Sequence, residues 1–478
     1  MSNSTTYQLP LMEAVLRGEA TNRAVYFIGI GGIGMSALAR FFKSRGLRVS
    51  GYDRTATDLT RTLEKEGMLI HYTDNVEQLD QQAELVIITP AVPKSHTELE
   101  YYLTNGYPVM KRSEVLGLIT ASTQNICVAG THGKTTTSCM VAHILTHTGY
   151  GCNAFLGGIA SNYGTNFWGS DRNVSVVEAD EYDRSFLKLT PEHAIITAVD
   201  PDHLDIYDNE QSFRQAFVDF SQKVKPEGTL VVQYNIPDRQ RLVHPNLVTY
   251  SLENQLADYS VTDCTVQAGG YHFTVKAPDV LIPGFTLNMG GLHNVENALA
   301  AIIVARSLGI DIAQIQSALA TFTGVKRRFE YVVRHHDRVL IDDYAHHPEE
   351  LRALLLSVRN LLPGRRMLTL FQPHLYSRTR DFVDGFASSL SLSDEVILLP
   401  IYPARELPID GVASERIAER MNANQVRCMD RTAALRLLSE RHTSDQLDVV
   451  ITAGAGDIDT MVYEIKNLLT DTNGTTTR

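Results

Sequence analysis

Three times along the chain an apolar strand runs into a Gly-rich or polar turn and then into an amphipathic helix, and this alternation constrains the fold more than any other feature. The first block opens on AVYFIGIGG and continues through LRVSGYD and ELVIITPAVP. The second begins at NICVAGTHGKTTTSCMVAHIL, holds NVSVVEAD and HAIITAVD, and ends near FTGVKRRF. The third supplies RVLIDDYAHHPEELRALL, RMLTLFQPH, DEVILLPIY and LDVVITAGAGD. Strands alternating with helices build parallel sheets, so the expected fold class is α/β. A length of 478 residues exceeds what one core sustains. Three domains are therefore expected, over residues 1–122, 123–327 and 328–478. The segment from about Val231 to Phe285 has weaker periodicity and is expected to form a small side sheet.

Bulk properties exclude several functions. A net charge of −12 argues against nucleic acid as a partner. The five cysteines, Cys127, Cys139, Cys152, Cys264 and Cys428, form no C-x-x-C pair, which fits a reducing compartment. No apolar run approaches the roughly 20 residues that span a bilayer. The expectation is a cytoplasmic protein, monomer or homodimer, acting on small molecules without membrane insertion.

In open α/β sheets ligands bind beyond the carboxyl ends of the strands, and the chemistry-bearing residues cluster there. Gly29-Ile30-Gly31-Gly32-Ile33-Gly34 satisfies G-x-G-x-x-G between a strand and a helix, and Asp53 follows 19 residues after Gly34. Such a turn lets a pyrophosphate approach backbone amides; a bare structural turn is the alternative. Ala129-Gly130-Thr131-His132-Gly133-Lys134-Thr135-Thr136 is a shortened P-loop: Lys134 offers a point charge for the β/γ-phosphates, and Thr135 a hydroxyl for Mg²⁺. Glu178-Ala179-Asp180-Glu181 and Asp200-Pro201-Asp202-His203 end the next strands, with Glu178 the better metal ligand and His203 either a ligand or a turn residue. His293 and Asn297, four apart on one helical face, suit an adenine edge, while Asn294 could be an N-cap. Arg328, within Lys326-Arg327-Arg328-Phe329, could lean over a γ-phosphate or belong to a solvated linker. His346, His374, Arg378 and Arg380 form a cationic and imidazole set in the third block, suited to carboxylate or phosphate.

Taken in order, G-I-G-G-I-G-M-S, G-T-H-G-K-T-T-T, E-A-D-E, D-H-L-D, G-x-H-N-x-x-N-A-L-A-A, R-R-F, D-D-Y-A-H-H-P and F-Q-P-H resemble the motifs of the Mur ligases of peptidoglycan synthesis, across the whole chain. The resemblance implies an N-terminal Rossmann-like sheet binding a UDP-sugar, a central P-loop-type ATPase sheet and a C-terminal Rossmann-like domain. It implies ATP and one or two Mg²⁺ as cofactors, and the joining of L-alanine to the lactyl carboxylate of UDP-N-acetylmuramate through an acyl phosphate. It places Gly29, Gly31, Gly32, Ile33, Gly34, Asp53 and Thr89 at the UDP-sugar. Gly130, Thr131, His132, Gly133, Lys134, Thr135, Thr136, His293, Asn294, Asn297, Arg328 and Asp343 would bind ATP; Thr135, Glu178 and His203 would serve the metal. Lys134, Glu178, His203, Arg328 and His346 would be catalytic, and His346, His374, Arg378 and Arg380 would lie near the muramoyl carboxylate or the alanine. Two departures stand out: Leu375 where the motif often has Arg, and the E-A-D-E-Y-D wording, with Tyr182, which also occurs in the murein-tripeptide ligase. That ligase is one alternative, and an NAD-dependent oxidoreductase using Gly29 to Gly34 and Asp53 is another.

Overall fold

The computed structural model describes residues 3–200, 207, 209–267, 269–404, 406–443 and 447–470. They pack as two units. The first holds Met1–Thr262, Thr274–Phe285 and Glu296–Ala320, the second Asp263–Phe273, Thr286–Val295 and Thr321–Arg478.

In the first unit, β1 (Ala24–Ile28), β2 (Arg48–Tyr52), β3 (Leu69–His71), β4 (Ala83–Ile88) and β5 (Val109–Lys111) form a parallel sheet in the order β3-β2-β1-β4-β5. Every residue of β1 is buried, as expected of a central parallel strand covered on both faces, and this explains its unbroken apolar run. The strand order reverses between β1 and β4, so the crevice of this sheet opens where the glycine turn leaves β1.

The second sheet is built around β6 (Gln124–Ala129), flanked in parallel by β9 (Val174–Glu178) and β10 (His193–Ile196). Beyond β9 lies the antiparallel hairpin of β7 (Asn153–Ala160) and β8 (Thr165–Trp168). Beyond β10 come β11 (Leu230–Gln233), β12 (Leu247–Ser251), β13 (Tyr259–Gln267), β14 (Gly270–Lys276) and β15 (Leu281–Leu287), giving the order β15-β14-β13-β12-β11-β10-β6-β9-β7-β8. The stretch expected to form a separate side sheet therefore extends the main one. The physical reason is that β11 presents unpaired main-chain groups, which β12 satisfies in register from Leu230↔Leu247 to Gln233↔Tyr250, and β13 then pairs with β12.

These two sheets share one core. Helix Ile33–Ser44 turns Phe41 inward, and its ring meets Phe155 of β7 at 5.2 Å and Phe167 of β8 at 6.0 Å, both edge-on. A buried phenylalanine contributes about 1.5–3 kcal/mol, so this contact does much to hold the helix after the glycine turn against the hairpin. Polar groups fix its register: Arg40 grips Glu66 through Nε (2.9 Å) and Nη2 (2.8 Å) and donates from Nη1 to Asn166 of β8, whose amide donates to Ser36 Oγ at 2.9 Å.

In the second unit, β16 (Glu330–Arg334), β17 (Val339–Asp343), β18 (Met367–Phe371), β19 (Glu395–Leu398), β20 (Val426–Cys428) and β21 (Val449–Ala453) take the order β16-β17-β21-β18-β19-β20. Only the edge strand β16 is antiparallel to its neighbour, and Leu340, Leu370, Ile397 and Val450 lie in the core. Among the described residues no helix is long and apolar enough to cross a membrane.

Candidate active site

The P-loop follows β6 through Gly130 (φ +137°) and Gly133 (φ +79°) into helix Lys134–His147. A Cβ on Gly130 would lie 2.1 Å from Thr197 Oγ1, and one on Gly133 would lie 2.5 Å from Asn297 Oδ1. Only glycine fits either place, and Asn297 thereby packs its amide on the turn. Thr131 anchors the loop to the strand-end beside it: its N–H donates to Ala198 O (3.0 Å), and its hydroxyl accepts from Asp200 N–H (3.2 Å). Lys134 Nζ folds back to donate to Gly130 O at 2.5 Å and sits 2.8 Å from each carboxylate oxygen of Glu181. Glu181 is 2% exposed. Burial pushes its carboxyl above the usual range, and the Lys134 charge opposes that push.

Glu178, the expected metal carboxylate, stands at the end of β9, where its Oε2 accepts Gly157 N–H at 2.9 Å. Thr135 is half-buried, Thr136 is buried, and the exposed His132 lies 3.8 Å from Asp200. His203 lies outside the described residues. Glu181 is a residue whose part in the site the sequence does not reveal. The E-A-D-E stretch offers three acids, and burial beside Lys134 is what selects the last.

At the glycine turn, Gly29 (φ +87°) and Ile30 donate to Tyr52 O at 2.8 and 3.0 Å. Thr89 packs on Gly29, its Cγ2 lying 2.8 Å from where a Cβ would be. Asp53 is stapled to the turn itself, accepting Gly31 N–H at 2.8 Å and Thr55 N–H at 3.1 Å. Gly32 precedes helix Ile33–Ser44 with no side-chain cap. The Arg112 guanidinium lies across Gly34: a Cβ there would meet Nη1 at 2.2 Å. A cavity of about 270 Å³ opens here, lined by the Gly32–Met35 segment, Thr89 and Arg112, and by Gly157, Glu178 and Asp180. The structure thus brings the glycine turn and the expected metal carboxylate to one cavity.

In the second unit, Asp343 ends β17 and accepts the N–H groups of Phe329 (2.6 Å) and Ala345 (2.7 Å), so its carboxylate ties the turn that follows to the segment entering β16. Arg328 lies over the Tyr344 ring, 5.4 Å from its centroid. Glu350, in the first turn of helix Pro348–Leu361, accepts His346 N–H (2.9 Å) and His347 N–H (3.1 Å), and lies 3.3 Å from His346 Nδ1. Burial depresses the His346 imidazole, with Glu350 opposing. The rings of His346 and His374 meet edge-on at 6.0 Å, and His374 stacks on Tyr402 at 5.8 Å. Burial, then the nearby His346 and Arg378, lowers His374 to about 4, so it is neutral at pH 7. His374 Nδ1 and Arg378 Nη1 are buried with no hydrogen-bond partner among the described residues. Buried polar atoms without internal partners are what a binding site offers a ligand.

Other expected residues stand apart from that pair. Leu375 adopts φ +70° and donates to Tyr402 O at 3.0 Å, beginning helix Tyr376–Asp381. Arg380 is exposed and pairs with Asp381 at 2.7 Å. The His293 ring covers Gly291 (φ +86°), and the Asn294 side-chain amide donates to Gly290 O at 2.7 Å.

Three family descriptions match in succession: the Mur ligase family catalytic domain over residues 24–124, the Mur ligase middle domain over 128–305, and the Mur ligase glutamate ligase domain over 327–456. A UDP-N-acetylmuramate–L-alanine ligase of Cytophaga hutchinsonii is 47% identical over 454 residues, covering 93% of this chain and 96% of its own. The chain belongs to the Mur ligase family. The solved UDP-N-acetylmuramate–alanine ligase of Thermotoga maritima superposes with a TM-score of 0.78 at 29% identity, covering 92% of this chain and 98% of that one. A murein peptide ligase of Psychrobacter arcticus shares the Mur ligase fold, with a TM-score of 0.64 at 23% identity over 94% of this chain and 99% of its own.

Proposed function

We propose that this protein joins L-alanine to the lactyl carboxylate of UDP-N-acetylmuramate, driven by ATP, in the cytoplasm. The carrying observation is one cavity, between the glycine turn and Glu178, in the same unit as a P-loop lysine held by a buried glutamate. The names of the full-length relatives support the choice of sugar acid and amino acid. The proposed division of labour follows residues 1–122, 123–327 and 328–478.

The chemistry follows from what amide synthesis needs. A carboxylate is a poor electrophile, because its oxygen leaves badly. Transfer of the γ-phosphoryl group of ATP makes it an acyl phosphate, which the alanine amine attacks with loss of phosphate. Lys134 offsets the repulsion between carboxylate and phosphates, and Glu181 holds that lysine in place. The Glu178 carboxylate and Thr135 hydroxyl are the hard oxygen donors that Mg²⁺ demands, and His203 would join them. A bound Mg²⁺ would neutralise phosphate charge there. His374 Nδ1 and Arg378 Nη1 supply hydrogen-bonding groups for a carboxylate, and His346, neutral at pH 7, is suited to accept the amine proton.

The test is phosphate release from ATP that requires UDP-N-acetylmuramate and L-alanine together. Release with the tripeptide L-alanyl-γ-D-glutamyl-meso-diaminopimelate but not with L-alanine would overturn the choice of acceptor, and hydride transfer without phosphate release would overturn the reaction class.

A further inference from the structure

The geometry points to a function for Arg112 that the motifs do not carry. We propose that Arg112 is a substrate-binding residue, which exchanges Asp180 for an oxyanion of the nucleotide-sugar acid, either its diphosphate or its carboxylate. This rests on the nucleotide-sugar reading above.

Arg112 opens helix Arg112–Ser122 and reaches back over the glycine turn of β1. Its guanidinium carbon would lie 2.9 Å, and its Nη1 2.2 Å, from a Cβ on Gly34. The last glycine of the turn is thus the place over which a cation is laid, and any side chain there would expel it. From that position Arg112 lines the cavity that also receives Glu178 and Asp180. A guanidinium carries five N–H donors in a planar fork, matched to carboxylate or phosphate. Among the described residues its side chain hydrogen-bonds Asp180 alone, from Nη2 to Oδ2 at a long 3.2 Å, and Asp180 is itself 39% exposed. Asp180 has a second attachment, its Oδ1 accepting Tyr182 N–H at 3.1 Å, so it can release the arginine without being left unbonded. Asp53 already occupies the Gly31 amide within the turn. Arg112 is therefore the cation the cavity provides at its glycine end, while the Glu178 end is carboxylate.

An arginine that merely tied two turns together would lose its purpose equally with either partner. A binding residue would not, because Asp180 competes with the ligand for it. The experiment measures dissociation constants of the full chain for UDP, UDP-N-acetylglucosamine and UDP-N-acetylmuramate by titration calorimetry, in the wild type and in Arg112→Gln, Arg112→Lys and Asp180→Asn. Loss of charge-assisted hydrogen bonds should weaken UDP-N-acetylmuramate about 10- to 100-fold in Arg112→Gln. Arg112→Lys, which keeps the charge and loses the fork, should fall between. Asp180→Asn breaks the same ion pair and should bind at least as tightly as the wild type. Parallel losses for all three ligands assign the diphosphate; a loss confined to the muramate assigns the carboxylate. Arg112→Gln binding within about twofold of wild type, or Asp180→Asn weakening as much as Arg112→Gln, would overturn the proposal. A wild-type protein that binds ATP but none of the UDP compounds would overturn the nucleotide-sugar reading instead.

Discussion

Lys134 in the first unit and Arg378 in the second each hold a cationic group out of water, but the lysine is fully engaged by the protein and the arginine is not. Lys134 has a main-chain carbonyl at 2.5 Å and both Glu181 oxygens at 2.8 Å. Arg378 Nη1 has no hydrogen-bond partner among the described residues, and neither has His374 Nδ1. The first arrangement is closed: a phosphate arriving there must share or replace contacts that also stabilise the fold. The second is open, so its ligand competes with nothing. Binding and stability should therefore be coupled at Lys134 and separable at Arg378.

The largest expected effect tests the closed end. Lys134→Ala removes a charge that acts in phosphoryl transfer, which costs roughly 3–4 kcal/mol of transition-state stabilisation, and turnover should fall by two to three orders of magnitude. It also leaves Glu181 buried without its partner, a loss of about 3–5 kcal/mol in folding stability. Lys134→Met/Glu181→Gln should recover most of the stability and none of the phosphate release. If Lys134→Ala melts like the wild type, the ion pair is not structural and the contrast collapses.

A second buried acid sharpens the contrast. Asp342 in β17 accepts Thr452 Oγ1–H at 2.6 Å, but its nearest cation, Arg327 Nε, is 3.7 Å away. Burial, opposed by Thr452 and then Arg327, raises its carboxyl to about 7. An acid whose folded pKa lies above its unfolded value of 3.8 favours the folded state fully below 3.8. That contribution is lost as pH climbs from about 4 to about 7, by something on the order of 4 kcal/mol. Urea melts of Asp342→Asn across that range should lack this decline. Equal slopes for variant and wild type would show that the weakly paired acid is as well accommodated as Glu181.

At the open end, Arg378→Ala should raise KM for L-alanine or for the sugar acid about 10- to 100-fold, the scale of one or two hydrogen bonds to a charged group. Its thermal midpoint should match or exceed the wild type, since Nη1 holds nothing in the protein. A drop in stability comparable to that of Lys134→Ala would close the distinction.

How legible these features were in the sequence follows the same physics. Both glycine turns could be read because backbone constraint leaves a residue signature: Gly130, Gly133 and Gly29 stand where φ is positive and a Cβ would collide. The central strands of all three sheets could be read because β1, β6 and β21 are buried almost throughout. Glu181 and Arg112 could not, because what distinguishes them is a partner 47 residues away in one case and 68 in the other. The stretch from Leu247 to Leu287 was legible as β structure but not as a continuation of the main sheet, because the edge of β11 that β12 pairs with leaves no mark in the local pattern.

Arg380 gives the smallest expected effect and the cleanest contrast with its neighbour two residues away. Sequence pattern alone groups it with His346, His374 and Arg378, since all four follow strand ends in the third block. Helical geometry separates them: positions two apart point to different faces, and Arg380 ends at Asp381 in solvent while the Nη1 of Arg378 is enclosed. An exposed pair between adjacent residues contributes little, so Arg380→Ala should leave KM for both substrates and kcat within about twofold of the wild type. A KM shift matching that of Arg378→Ala would mean that the ligand draws Arg380 off Asp381, and the open site would then include a cation that begins, like Lys134, already paired.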